Sequence, residues 1–190
     1  VLRLPRLPAG PHPTAAGLAA SVRFVFRVGR GPWCRLVRDE SHRPERLIWQ
    51  DDQTVAFAPF ASRSPFEVWV VPRRHESDFG RASDADVAAT GEALRQVLGA
   101  LSATLDGPPH NLVLHTAPLR EQVDATYHWH WDSHPRHREI AGLELGTGLP
   151  VNPVSPENAV SAIGARTPSR CGSLHSGPWW PHRLSDGAHS

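Results

Sequence analysis

Tyr127-His128-Trp129-His130-Trp131 alternates imidazoles with indoles at the period of a β-strand. Successive side chains of an extended segment leave opposite faces, so the two histidines share one face and the two tryptophans the other. Histidines at i and i+2 can meet one metal ion or one phosphate, while the indoles enter an apolar layer behind them. A strand serving only the core would carry Val or Ile where the histidines stand. The competing reading is a surface strand with incidental histidines. Imidazole's titration near neutral pH and its ligand chemistry favour a site.

The flanking segments supply the rest of a sheet. Residues 46–49 (Arg-Leu-Ile-Trp) and 54–58 (Thr-Val-Ala-Phe-Ala) read as short strands joined by the turn-like Gln50-Asp51-Asp52-Gln53. After a loop from Pro59 to Pro65, Phe66–Val71 is a β-branched and aromatic run suited to a central strand. Ser83, with Asp86 three positions on, matches a helix capping box. Val87, Gly91, Leu94, Val97, Leu98, Leu101 and Leu105 then recur at helical spacing up to Gly107-Pro108-Pro109, which cannot continue a helix. Asn111–His115 predicts a further strand, as does Ile140–Leu145 before the turn Gly146-Thr147-Gly148. Ser155-Pro156-Glu157-Asn158 has the form of a short helix start, with Pro156 at its first position.

This order predicts an α+β fold: a histidine-triad-like antiparallel sheet with one long helix packed on a face. Residues 1–30 form an irregular lead-in and 31–166 the domain. Residues 167–190 make a disordered tail of Ser, Gly, Pro and His, in which His175, His182 and His189 carry no specific spacing.

Composition narrows the function. A length of 190 residues suits one domain of ordinary size. A net charge of +1 without a basic stripe speaks against nucleic acid. No apolar run is long enough to span a bilayer, and no signal-peptide core is evident. Cys34 and Cys171 do not make a disulfide framework, so the chain reads as cytoplasmic. The basic residues are all Arg, and Met is absent. That composition is typical of a GC-rich genome, and Val at position 1 is expected of an alternative start or a fragment.

Four separated segments offer metal-ligand chemistry: Cys34, His75, His115 and the pair His128/His130. Each histidine lies at or just after a strand candidate, so a sheet can bring them together. Zinc takes ligands from Cys and His and closes sites of this kind in small domains. The plain alternative for His75 is an exposed turn, Arg73-Arg74-His75.

The strings that surround these residues are distinctive as a set. They are Val55–His75, Pro108–Pro118, Tyr127–His130, and 140–148 (Ile-Ala-Gly-Leu-Glu-Leu-Gly-Thr-Gly) with Asn152-Pro153. In this order they resemble the second, C-terminal half of galactose-1-phosphate uridylyltransferases, members of the histidine-triad superfamily. The resemblance runs from about Pro32 to Ile163.

It implies a ping-pong exchange in which a histidine takes UMP from UDP-glucose and passes it to galactose 1-phosphate. It also implies zinc at the positions matched by Cys34, His75 and His128. In some relatives the equivalents of His115, His128 and His130 hold a second divalent metal such as iron. Arg138, Gly142 and Glu144 align with a substrate-facing stretch, and the implied partner is a second copy or a missing N-terminal half. Arg63 and Asn111 fit either a structural or a phosphate-proximal role.

Departures from the family pattern shape these expectations. The family's His-Pro-His-x-Gln nucleophile motif is absent. His130 stands at the nucleophile-equivalent position of this copy, followed by Trp131 and Asp132. A metal or structural role is therefore expected of it. Gly31 replaces one thiolate of a Cys-x-x-Cys pair. A non-catalytic zinc-holding dimerisation domain, or a truncated gene product, is the rival to a nucleotidyltransferase half. A hydrolase or phosphorylase is disfavoured by Asp132.

Overall fold

In the computed structural model, residues 32–118, 124–136, 142–148 and 150–164 are described. The lead-in and tail named above lie outside them. Helix α1 (Pro32–Ser41) precedes strands β1 (Leu47–Gln50), β2 (Thr54–Phe57) and β3 (Val68–Pro72). Then come a 3-10 turn (Phe79–Arg81), the long helix α2 (Asp84–Leu105) and strands β4 (His110–His115) and β5 (His130–Pro135). Two short helices, α3 (Gly142–Thr147) and α4 (Pro156–Ile163), follow.

The five strands form one antiparallel sheet in the order β1-β2-β3-β5-β4. The last strand in sequence therefore inserts between β3 and β4. Val70 sits opposite Trp131 and His115 opposite His130. Strand β4 is left on an edge, with Leu112 and Val113 exposed.

Alternation sorts the side chains into two layers. Ala56, Val68 and Val70 pack under α2 and α4, against Ala93, Leu94, Val97, Leu101, Val160 and Ile163, with Trp131 at the margin. On the other face Val55, Phe57 and Val71 meet Val37 and Leu36 of α1, beside Trp69. Fully burying each such aliphatic side chain contributes about 1.5–3 kcal/mol. Two independent cores thus fix the sheet from both sides.

Capping follows the sequence signals. Ser83 Oγ accepts from the Asp86 amide (3.2 Å) and donates to its carboxylate (2.6 Å). Asp106 closes the same helix in the left-handed conformation (φ 59°) and Gly107 follows at φ 65°. Ser155 caps α4, with Pro156 in its first turn. Ser83→Ala should cost about 1 kcal/mol of stability, read as a lower urea midpoint at unchanged slope.

The predicted strand over Ile140–Leu145 is a helix where it is described, from Gly142 onward. Alternating Leu143 and Leu145 imitate strand period, but both are exposed and the segment pairs with no strand. A helix satisfies its backbone groups internally, which an unpaired strand cannot. Helix α1 had no distinct signal in the sequence. Strand pairing of the His-Trp segment begins only at His130. Just before it, the Trp129 amide donates to the Glu76 carbonyl at 3.0 Å.

Candidate metal centre

The Trp129–Glu76 bond places the segment after β3 beside the segment before β5, and so brings His75 next to His128. Their rings meet edge to face, with centroids 5.3 Å apart. Helix α1, seated by Leu36 and Val37, delivers Cys34 in its first turn. Cys34 Sγ lies 3.2 Å from His75 Nδ1. The ligand atoms of Cys34, His75 and His128 all lie within 4.8 Å of one another.

Ring orientation suits coordination. His75 Nε2 donates to the Asp124 carbonyl at 2.5 Å, which assigns the proton to Nε2 and leaves Nδ1 with its lone pair towards Cys34. A carbonyl behind an imidazole is the usual arrangement for a metal-bound histidine. Asp124 is itself fastened by Ser77 Oγ (2.6 Å) and by Arg81, which also reaches Glu76. His128 is fully buried, and neither ring nitrogen has a hydrogen-bond partner of good geometry among the described residues. A buried imidazole without partners is costly. A metal ion would supply the missing partner, so the residues present fit zinc with three protein ligands.

His115 and His130 come together with each other: their rings stack at 4.7 Å and 17°. Neither joins either of the two groups of described residues whose ligand atoms lie within 4.8 Å of one another. His130 is walled by Trp33 (4.4 Å) and Trp69 (5.2 Å) and is 3% exposed. Its Nδ1 donates to the His128 carbonyl at 3.0 Å. Of the substrate-facing candidates, Gly142 opens α3 and Glu144 lies within it, while Arg138 is outside the described residues. Arg63 is exposed, with a guanidinium nitrogen 3.8 Å from Asp132, and Asn111 stands on the exposed edge strand.

Burial sets the electrostatics. It pushes both His128 and His130 down to about 4, the carbonyls of Pro72 and Arg74 opposing this at His128 and the His128 carbonyl at His130. Both rings are therefore neutral at pH 7. Burial would also raise Asp132, but the nearby imidazoles of His115 at 3.7 Å and His134 at 2.9 Å outweigh it and hold the carboxyl below its usual range. In return the bond to Asp132 raises His134.

A folded value below the unfolded value of 6.5 means that the unfolded chain takes up protons first as pH falls. Stability from His128 and His130 is whole above about pH 6.5 and drains away as pH drops towards about 4. His110, also pushed down by burial, adds to this, while His134 alone among the shifted histidines acts in the opposite sense. The metal-free chain should lose about 2 kcal/mol or more across this window. Urea midpoints measured with a chelator at several pH values give the check, and a flat profile would contradict it.

A second group escaped the sequence reading. Glu67, Asp132 and His134 also place ligand atoms within 4.8 Å of one another. The signal was present: the alternation of His128 and His130 continues through Asp132 to His134 along β5, one strand away from Glu67.

No protein-family model matches the chain. An ADP-glucose phosphorylase of Arabidopsis thaliana is 30% identical over 160 residues, 83% of this chain and 44% of that protein. A galactose-1-phosphate uridylyltransferase of Thermotoga maritima is 29% identical over 140 residues, 70% of this chain and 43% of the relative. A uridylyltransferase structure superposes with a TM-score of 0.72 at 34% identity, covering 83% of this chain and 51% of that one. A zinc-bound histidine-triad protein of Mycobacterium smegmatis, at 17% identity and a TM-score of 0.51, shares the fold.

The phosphorylase reading that Asp132 disfavoured thus returns among the relatives. The chain spans about half the length of the Arabidopsis and Thermotoga relatives and of the uridylyltransferase structure. With its antiparallel sheet, its long helix and these shared stretches, the chain is a homologue of one half of galactose-1-phosphate uridylyltransferases and of the related ADP-glucose phosphorylase, and it has the fold of histidine-triad proteins.

Proposed function

We propose that this chain is the C-terminal, metal-holding half of a nucleotidyltransferase of the galactose-1-phosphate uridylyltransferase type. The observation that carries the reading is the convergence of Cys34, His75 and His128, with the His75 proton turned away from the thiol. Zinc at these three residues would tie α1 to the sheet, with water in the fourth position that a second thiolate fills in the family pattern. The substrates are a nucleoside diphosphate sugar and a sugar 1-phosphate: UDP-glucose with galactose 1-phosphate, or ADP-glucose as in the Arabidopsis relative. Reduced Cys34 suits the cytoplasm.

His130 is not the nucleophile in this reading. Its Nε2 carries the in-plane lone pair, but a residue only 3% exposed gives an incoming phosphorus little access to it. The nucleophile then comes from another half, in the same or a second chain. Arg138, Gly142 and Glu144 serve the sugar. Exposed Leu143 and Leu145 of α3, and the edge of β4 that pairs with no strand among the described residues, suit contact with that half or with a second copy. The same burial of His130 equally favours the rival reading, a zinc-holding dimerisation domain without turnover.

Labelling with UDP-glucose or ADP-glucose radioactive at the α-phosphorus separates these readings. The chain alone should take up no acid-labile label. Mixed with a first half bearing His-Pro-His-x-Gln, it should support labelling of that half and exchange of sugar 1-phosphate. Label on this chain that disappears in His130→Ala would overturn the assignment of the nucleophile. Absence of any exchange in the mixture would leave the dimerisation role as the better description.

A further inference from the structure

We infer that Glu67, Asp132 and His134 form a second divalent-cation site, distinct from the Cys34 centre and harder in its donor chemistry. Glu67 stands just before β3, while Asp132 and His134 lie on one face of β5. Ligand atoms of the three side chains lie within 4.8 Å of one another. Asp132 and Glu67 are each 1% exposed, so two carboxylates are buried side by side. Two such groups need a compensating cation.

The existing compensation is incomplete. Arg63 reaches Asp132 only at 3.8 Å, from an exposed position, and His115 stands at 3.7 Å. His134 Nε2 meets Asp132 Oδ2 at 2.9 Å, but Asp132 Oδ1 is buried with no partner among the described residues. Glu67 accepts from the Arg63 and Ser64 amides and from the Trp69 indole, and His134 Nδ1 pairs with Ser64 Oγ. These contacts fix both ligands from behind, as outer partners fix a metal ligand. A spacing of 2.9 Å between nitrogen and oxygen is that of neighbouring donors each about 2.0–2.2 Å from one metal ion. Phe66, immediately before Glu67, is held at φ 59°. Bulky residues rarely adopt that conformation, and it persists where the surroundings over-determine it.

Oxygen-rich donors with one imidazole suit manganese or cobalt as well as zinc, whereas the Cys34 site prefers zinc. The cation would take the place of the proton shared between His134 and Asp132. Nothing in this inference needs the Cys34 site to be occupied.

The test is equilibrium dialysis of the full chain and its Cys34→Ser variant against Mn²⁺ and Co²⁺, with visible spectra in cobalt. Cys34→Ser should lose any thiolate-to-cobalt charge-transfer band yet keep one equivalent of Co²⁺ or Mn²⁺. Asp132→Asn in that background should weaken the remaining equivalent by about tenfold or more. His134→Gln, at a half-buried position and less disturbing to the fold, should do the same, with circular dichroism confirming that each variant is folded. If Cys34→Ser binds neither ion, or if both second-site variants bind as tightly as their parent, the inference is wrong. Absence of the charge-transfer band in the unmodified chain, with one Asp132-dependent equivalent retained, would overturn the Cys34 centre and leave this site standing.

Discussion

Chelating the metal from the Cys34–His75–His128 centre should lower the melting temperature by about 10 °C. A ligand held at a thousandfold above its dissociation constant stabilises a fold by about 4 kcal/mol. Each kcal/mol moves a domain of this size by about 2–4 °C or somewhat more. Cys34→Ser should remove most of the difference between chelated and zinc-loaded protein, leaving only what zinc at Glu67, Asp132 and His134 contributes.

His128→Phe sharpens the expectation, because its sign depends on the metal. Without metal, replacing a buried imidazole that makes no well-formed hydrogen bond among the described residues with a hydrocarbon ring of similar size should be neutral or stabilising. With zinc supplied, the same variant should be the less stable of the two, since it has lost the ligand. Differential scanning calorimetry in chelator and in zinc gives both comparisons. If His128→Phe destabilises the chelated protein as much as the zinc-loaded one, His128 is an ordinary core residue and the centre is misassigned.

Arg46→Ala is the second change with a large expected effect. Arg46 enters β1 and binds buried Glu40 of α1 through two nitrogens, at 2.8 and 2.9 Å, and Glu157 of α4 at 3.3 Å. Both Arg46 and Glu40 are almost fully buried. Removing the guanidinium strands a carboxylate away from water, which costs about 3–5 kcal/mol. The double change Arg46→Met with Glu40→Leu removes both charges and should recover most of that loss. Urea denaturation of the single and double variants measures the difference. A single variant within about 0.5 kcal/mol of the parent would show the pair to be effectively solvated.

Sequence reading reached the elements whose signals are local. Ser83, Asp86 and Gly107 marked the ends of the long helix because capping and chain reversal depend on nearest neighbours. Val68–Val71 declared a central strand through β-branching. Five candidate ligands, Cys34, His75, His115, His128 and His130, were legible by residue type. The grouping of Cys34, His75 and His128 came from the family resemblance, and of the five only these three form a group of three or more with ligand atoms within 4.8 Å of one another.

What stayed hidden depended on partners. Pro32–Ser41 is a helix because Leu36 and Val37 find Val55, Phe57 and Val71 on a sheet face that the sequence does not display. Gly142–Thr147 failed as a strand for want of a neighbour. Glu67 and His134 become neighbours only through the β3–β5 register, which pairs Val68 with Ser133 and so brings together two residues far apart in sequence.

Beside the candidate metal centre, the imidazoles of His75 and His130 have their protons parked on main-chain oxygens, those of Asp124 and His128. No single substitution can delete an acceptor that every amino acid carries. The aim of these rings is written into the path of the polypeptide, so drift in the identity of their neighbours leaves it intact. Inserting or deleting one residue around Asp124 would break it at once. Descendants of this gene should therefore tolerate many replacements in that stretch, but hardly any change in its length.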